Sequence, residues 1–89
     1  MLISPDEINK SLSMYGWSYK DKMIFKSFKF QNYMEGINFV KKIADISEAL
    51  NHHPKMVADW CKVDIFIASH DLGGVTTKCV NLATKIESL

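Results

Sequence analysis

The sequence predicts an α+β fold in one domain, ordered helix, two strands, long helix, two strands, helix. The four strands form an antiparallel sheet with the helices packed on one face. Three observations predict it. Two helix-start signatures, Ser4-Pro5-Asp6-Glu7 and Asn32 with Glu35 three residues on, each precede an apolar repeat of helical spacing. Two pairs of short segments rich in β-branched and aromatic residues lie between the helices. A chain of 89 residues with 47% hydrophobic content has material for one core and none to spare.

In the first helix, Ser4 accepts from an exposed N–H, Pro5 sits where its missing N–H costs nothing, and Glu7 can reach back. The helix is expected to run to about Met14, with Gly16 ending it. Trp17 to Lys20 and Ile24 to Phe30 read as strands around a two-residue turn at Asp21-Lys22. In the second strand Ile24, Phe28 and Phe30 share a side. From Asn32 a long helix spans Tyr33 to Leu50, its apolar stripe being Tyr33, Ile37, Val40, Ala44, Ser47 and Leu50, widened by Met34, Ile43 and Ile46. Asn51 to Pro54 must leave that helix, because a residue before proline avoids helical geometry, which puts His53 in extended backbone.

Met56 to Trp60 and Lys62 to Ser69 form the second strand pair, with Val63, Ile65 and Ile67 on one face. His70 has the opposite parity, ending a half-polar face beside the loop Asp71 to Gly74. Thr76 caps a last helix whose apolar positions are Val80, Leu82, Ala83 and Ile86. No repeat, low-complexity tract or linker divides residues 1–89. Trp17 and Trp60 fit core positions.

Eleven Lys plus Arg face ten Asp plus Glu, with no basic run to follow a phosphate backbone, so direct nucleic-acid binding is disfavoured. Met1 to Met14 lack the pattern of a secretory signal, and no stretch is long enough to span a bilayer. A soluble cytoplasmic or nuclear protein is expected, with Cys61 and Cys79 as reduced thiols. Five Phe, three Tyr and two Trp are many aromatics for so short a chain to hide, which favours oligomerisation.

All three histidines fall in two places, His52-His53 after the long helix and His70 after the last strand. Imidazole both gives and takes a proton near neutrality, so this grouping points to acid/base chemistry. A zinc site is disfavoured, because adjacent side chains in extended backbone point to opposite sides. The Gly73-Gly74 pair alone is too weak a signal for an anion site.

Glu48-Ala49-Leu50-Asn51-His52-His53-Pro54, the aromatic Trp60, the strand ending in His70, and Gly74-Val75-Thr76 opening a helix together resemble the pterin-4a-carbinolamine dehydratases. With Gly16-Trp17 and the strand through Phe28 and Phe30, the resemblance covers nearly the whole chain. It implies removal of water from a 4a-hydroxytetrahydropterin to give the quinonoid dihydropterin, without metal or organic cofactor. It places His52, His53 and His70 around the pterin, with His53 and His70 acting on the departing hydroxyl and His52 on a ring proton or its orientation. Glu48 is then a supporting carboxylate and Trp17 flanks the pocket.

Two positions depart from the family pattern. Asn51 stands where many members have aspartate, and Cys79 replaces an aspartate three residues beyond Thr76. An acidic residue there would close a capping box or orient a histidine, so Cys79→Asp is expected to raise stability or activity. The resemblance also implies homodimers joined through sheet edges or homotetramers joined through long helices. Some relatives stabilise the dimer of a homeodomain transcription factor, which makes a non-catalytic protein-binding role the alternative; no match to that surface carries the partner over.

Overall fold

The computed structural model describes residues 2–89, and its element order is the predicted one. Met1, at the start of the segment tested for a secretory signal, lies outside the described residues, as does the side chain of Met14. The elements are α1 (Pro5–Leu12), β1 (Ser18–Lys20), β2 (Met23–Lys29), α2 (Tyr33–Leu50), β3 (Lys55–Asp59), β4 (Lys62–Ile67) and α3 (Thr77–Glu87). The strands form one antiparallel sheet in the order β1-β2-β4-β3. Among the described residues no helix is long and apolar enough to cross a membrane.

α1 starts as its capping residues dictate, with Ser4 Oγ accepting from Glu7 N–H at 3.2 Å. Its α-helical part ends at Leu12, and Ser13–Tyr15 tighten into a 3₁₀ turn before Gly16, whose φ of 83° needs glycine's freedom. Asp21 and Lys22 both have positive φ, the geometry of the tight hairpin turns that match strand twist.

Pairing Ile24 with Ile67, Lys26 with Ile65 and Phe28 with Val63 assigns one face of the sheet to the helices. Ile24, Val63, Ile65 and Ile67 are buried there against Ile8, Leu12, Ile43, Leu82 and Ile86. Lys26 shares that face because it has partners. Its ammonium donates to Glu87 Oε2 at 2.7 Å and to the Tyr15 carbonyl, and lies 4.7 Å from the centre of the Phe28 ring. The opposite face carries Phe25 stacked on Phe66, with Lys55 over the Phe66 ring.

Two expectations need correction. α2 is rotated somewhat relative to the expected stripe: Ile43 and Ser47 are buried and Val40, Ile46 and Leu50 pack against the core as expected, but Tyr33, Met34 and Ala44 are exposed and Gly36 and Phe39 face the core instead. Gly36 explains it. A Cβ there would lie 3.3 Å from Val63 and 3.4 Å from Phe30, so the missing side chain lets α2 approach the sheet at this turn. Phe39 then meets Phe28 and Phe30 with ring centres 4.8 and 5.2 Å apart. The second correction is Trp60, which is 76% exposed at the β3–β4 turn rather than in the core. Both edge strands are also displaced slightly: β1 omits Trp17, and β3 begins at Lys55.

α2 ends on a residue with left-handed backbone, Asn51 at φ 52° and ψ 44°. The N–H of Asn51 reaches the Glu48 carbonyl and that of His52 the Ser47 carbonyl at 3.0 Å, the paired bonds of a Schellman stop. Asparagine tolerates this conformation better than alanine does because its short polar side chain can hydrogen-bond to the nearby backbone, and glycine tolerates it because it has no Cβ. Asn51→Ala should therefore lower the free energy of unfolding by about 1 kcal/mol, while Asn51→Gly holds the wild-type value. Urea denaturation of the two variants checks this, and equal losses would mean that the left-handed stop is not what the residue supplies.

Candidate active site

Three chain segments surround a cavity of about 450 Å³. The α2–β3 connection contributes Asn51, His52 and His53; the segment after β4 contributes Ser69 and His70; the start of α3 contributes Thr76, Thr77 and Lys78. The adjacent pair His52-His53 and the distant His70 thus line one cavity.

Each histidine is placed by its backbone. His52 is fixed by the bond that ends α2, and Pro54 keeps His53 out of helical geometry. His70 opens the short loop closed by Ser69 and Gly74, where Ser69 N–H donates to the Gly74 carbonyl at 2.7 Å.

The two adjacent imidazoles have different partners. His53 Nε2 meets the carboxylate of Glu48, one turn back on α2, at the exposed rim. A carboxylate only accepts, so neutral His53 carries its proton on Nε2 and leaves Nδ1 free to receive one. His52 Nε2 instead lies 3.2 Å from Sγ of Cys79, a fully buried residue in the first turn of α3. Burial lowers the pKa of His52 below its ordinary 6.5, and Lys78, His53 and His70 add repulsion in the same direction. Among the described residues no group of three His, Cys, Asp or Glu side chains is arranged to hold a metal ion.

Behind His52 the polar side chains satisfy one another. Ser69 Oγ and Thr76 Oγ1 are 2.8 Å apart, and Cys79 Sγ lies 3.4 Å from the first and 3.6 Å from the second. This corrects the expected cap. Thr76 occupies the N-cap position of α3, but its hydroxyl makes no capping bond. Cys79 Sγ faces His52, which fits the orienting account of position 79.

Of the residues singled out in the sequence, His52, His53, His70 and Asn51 line the cavity, Cys79 lies directly behind it, and Glu48 holds His53 from the rim. Trp17 is placed elsewhere. It is buried, donates from Nε1 to Glu87 Oε2 at 3.0 Å, and meets Phe28 edge-on, at the far end of α3 from the cavity. Sequence reasoning missed Ser69, Thr76 and Lys78 as parts of the site. Their only signal was adjacency to His70 and Cys79.

The profile of the family described as Pterin 4 alpha carbinolamine dehydratase matches residues 1–89. A protein of Sulfurisphaera tokodaii, provisionally named pterin-4-alpha-carbinolamine dehydratase, is 40% identical over 84 residues, covering 94% of this chain and 87% of its own. The crystal structure of a transcriptional coactivator/pterin dehydratase from Brucella Melitensis superposes with a TM-score of 0.91 at 30% identity, covering 99% of this chain and 97% of that one. A pterin dehydratase-like protein described as a RuBisCO assembly factor in the alpha-carboxysome shares the fold, with a TM-score of 0.66 at 23% identity over 81% of this chain and 83% of its own.

The lowered His52 pKa has a thermodynamic consequence. Below pH 6.5 the unfolded chain protonates this imidazole before the native protein does. Its contribution therefore makes stability rise with pH up to about 6.5 and level off above it. Between about pH 5 and pH 7.5 the thermal midpoint of His52→Gln should change less than that of the wild type. Parallel melting curves at each pH check this; identical slopes would contradict it.

Proposed function

We propose that this chain, which belongs to the pterin 4 alpha carbinolamine dehydratase family, dehydrates 4a-hydroxytetrahydropterin to the quinonoid dihydropterin in the recycling of tetrahydrobiopterin. The observation that carries the reading is the meeting of His52, His53 and His70 on one cavity, with Glu48 on His53. Its volume, about 450 Å³, lies within the range of roughly 300–1,000 Å³ of small-molecule sites.

The reaction needs a proton delivered to the hydroxyl at C4a while a neighbouring ring nitrogen supplies the electrons that break the C–O bond. One ring proton is then lost to a base. His53 suits the delivery step: protonated on Nδ1, it gives that proton to the departing hydroxyl while Glu48 balances the imidazolium charge. His70, across the cavity, shares this task, and His52 acts on the ring proton or its orientation. Asn51 supports the site through the backbone stop it makes.

Both cysteines are free thiols, the state a reducing compartment maintains, which supports action in the cytoplasm. Self-association into two or four copies is part of the proposal. Tyr33 and Met34 on α2 are 48% and 58% exposed, and β3 is an edge strand. The same surfaces, and the coactivator description of the Brucella relative, support a protein-binding role as the second reading.

Stopped-flow measurement of carbinolamine dehydration at a pH where the spontaneous reaction is slow tests the enzyme. The protein should accelerate it, and His53→Ala should lose on the order of a hundredfold or more in kcat, with Glu48→Gln losing less. Absence of acceleration by folded protein would favour the protein-binding reading. Light scattering should return a mass of two or four chains, and a monomer would remove the oligomeric part.

A further inference from the structure

The Cys79 thiol is sealed from solvent, and its shortest polar contact is with an imidazole nitrogen rather than a hydroxyl. We infer that Cys79 donates its S–H to His52 Nε2 and so locks His52 as the Nδ1–H tautomer, making it a fixed hydrogen-bond donor toward the cavity. Cys79 is then a positioning residue that acts on substrate through His52. The functional meaning of the inference rests on the dehydratase reading, but the tautomer itself does not.

The argument is one of matching donors to acceptors. A neutral imidazole has one bare nitrogen and one N–H. Among neutral groups near Cys79, the bare nitrogen is the strongest acceptor, whereas sulfur is a weak one. Placing Nε2–H against Sγ would spend a strong donor on a weak acceptor and leave the thiol hydrogen to a more distant hydroxyl. With S–H directed at Nε2, one hydroxyl hydrogen joins Ser69 to Thr76 at 2.8 Å and the other can turn to sulfur. Every polar atom of the buried group is then used. Nδ1 has no partner among the described residues, and the ring lines the cavity, so the N–H it carries is available to a ligand.

The surroundings also work against an imidazolium paired with a thiolate. Burial and the Lys78 ammonium, with His53 and His70, keep His52 in its neutral form. With its single proton held on Nδ1, His52 suits the orienting half of the role proposed for it. Removal of the ring proton then falls to His53 or His70, whose side chains line the same cavity.

Long-range ¹H–¹⁵N correlation spectra of ¹⁵N-labelled protein without ligand report directly which ring nitrogen of each histidine is protonated. The wild type at neutral pH should show His52 bare at Nε2 and protonated at Nδ1. Cys79→Ser, which keeps a donor, should retain that pattern. Cys79→Asp, which only accepts when ionised, should move the proton to Nε2 and raise the His52 titration midpoint by about one unit or more. Purely structural packing by Cys79 would change the melting temperature without moving the proton.

Finding Nε2–H on His52 in the wild type, or an unmoved proton in folded Cys79→Asp, overturns the inference. If the aspartate variant does not fold, the wild-type tautomer decides alone. A protein that lacks dehydratase activity but shows Nδ1–H on His52 supports the inference while removing the functional reading. An active protein with Nε2–H overturns the inference alone.

Discussion

The site depends first on how α2 is stopped. Two backbone bonds around a left-handed Asn51 end the helix within one residue, and Pro54 prevents its resumption. The chain therefore turns back directly into β3, which pairs with β4 from Lys55 opposite Phe66 to Asp59 opposite Lys62. β4 in turn ends at the loop that carries His70. A softer helix end would let His52 and His53 drift relative to that loop, and general acid/base groups lose their value when their geometry is not held. The precision of the cavity is thus established in backbone hydrogen bonds before any imidazole contact is made.

α3 provides the third wall, and its two ends are held in different ways. At the C-terminal end Glu87 accepts from Trp17 and Lys26, tying the helix to the residue just before β1 and to β2. At the N-terminal end Thr76 forgoes the side-chain cap, a bond usually worth about 1 kcal/mol, and turns its hydroxyl to Ser69. The diverted hydroxyl completes the polar group around Cys79, behind His52. Local helix stability is given up where the site gains a defined inner wall, while the opposite end is anchored by an ion pair and an indole. This also accounts for Trp17, whose distance from the cavity is the distance between the two ends of α3.

Most of the architecture was legible because the signals were short-range. Ser4 and Asn32 form the caps they imply, Asp21-Lys22 makes its turn, and the alternation of Val63, Ile65 and Ile67 gives the buried face of the sheet. The rotation of α2 was not legible, because Tyr33, Met34 and Ala44 satisfy helical periodicity as well as the true core residues do. What decides between the faces is the absence of a side chain at Gly36, which matters only once Val63 and Phe30 are known to lie opposite. At the site, the clustering of histidines in sequence anticipated their meeting in space. The inner wall was hidden, since a Ser69, Thr76 and Cys79 group is assembled by a loop closure that no local spacing encodes.

The two neighbouring histidines show how one residue type can be given two chemical characters. His53 faces a carboxylate at the solvent edge, so its Nε2–H is committed and Nδ1 is left free. His52 faces a buried thiol, and with the tautomer inferred above it keeps a proton on Nδ1 while Nε2 is occupied. On the proposed reading the cavity receives one proton carrier and one stationary donor from adjacent positions in the chain. Divergent partners, one outside and one inside, are possible because extended backbone turns successive side chains to opposite sides, and that geometry is imposed on His53 by Pro54. The chemical asymmetry of the site thus traces back to the same few residues that terminate α2.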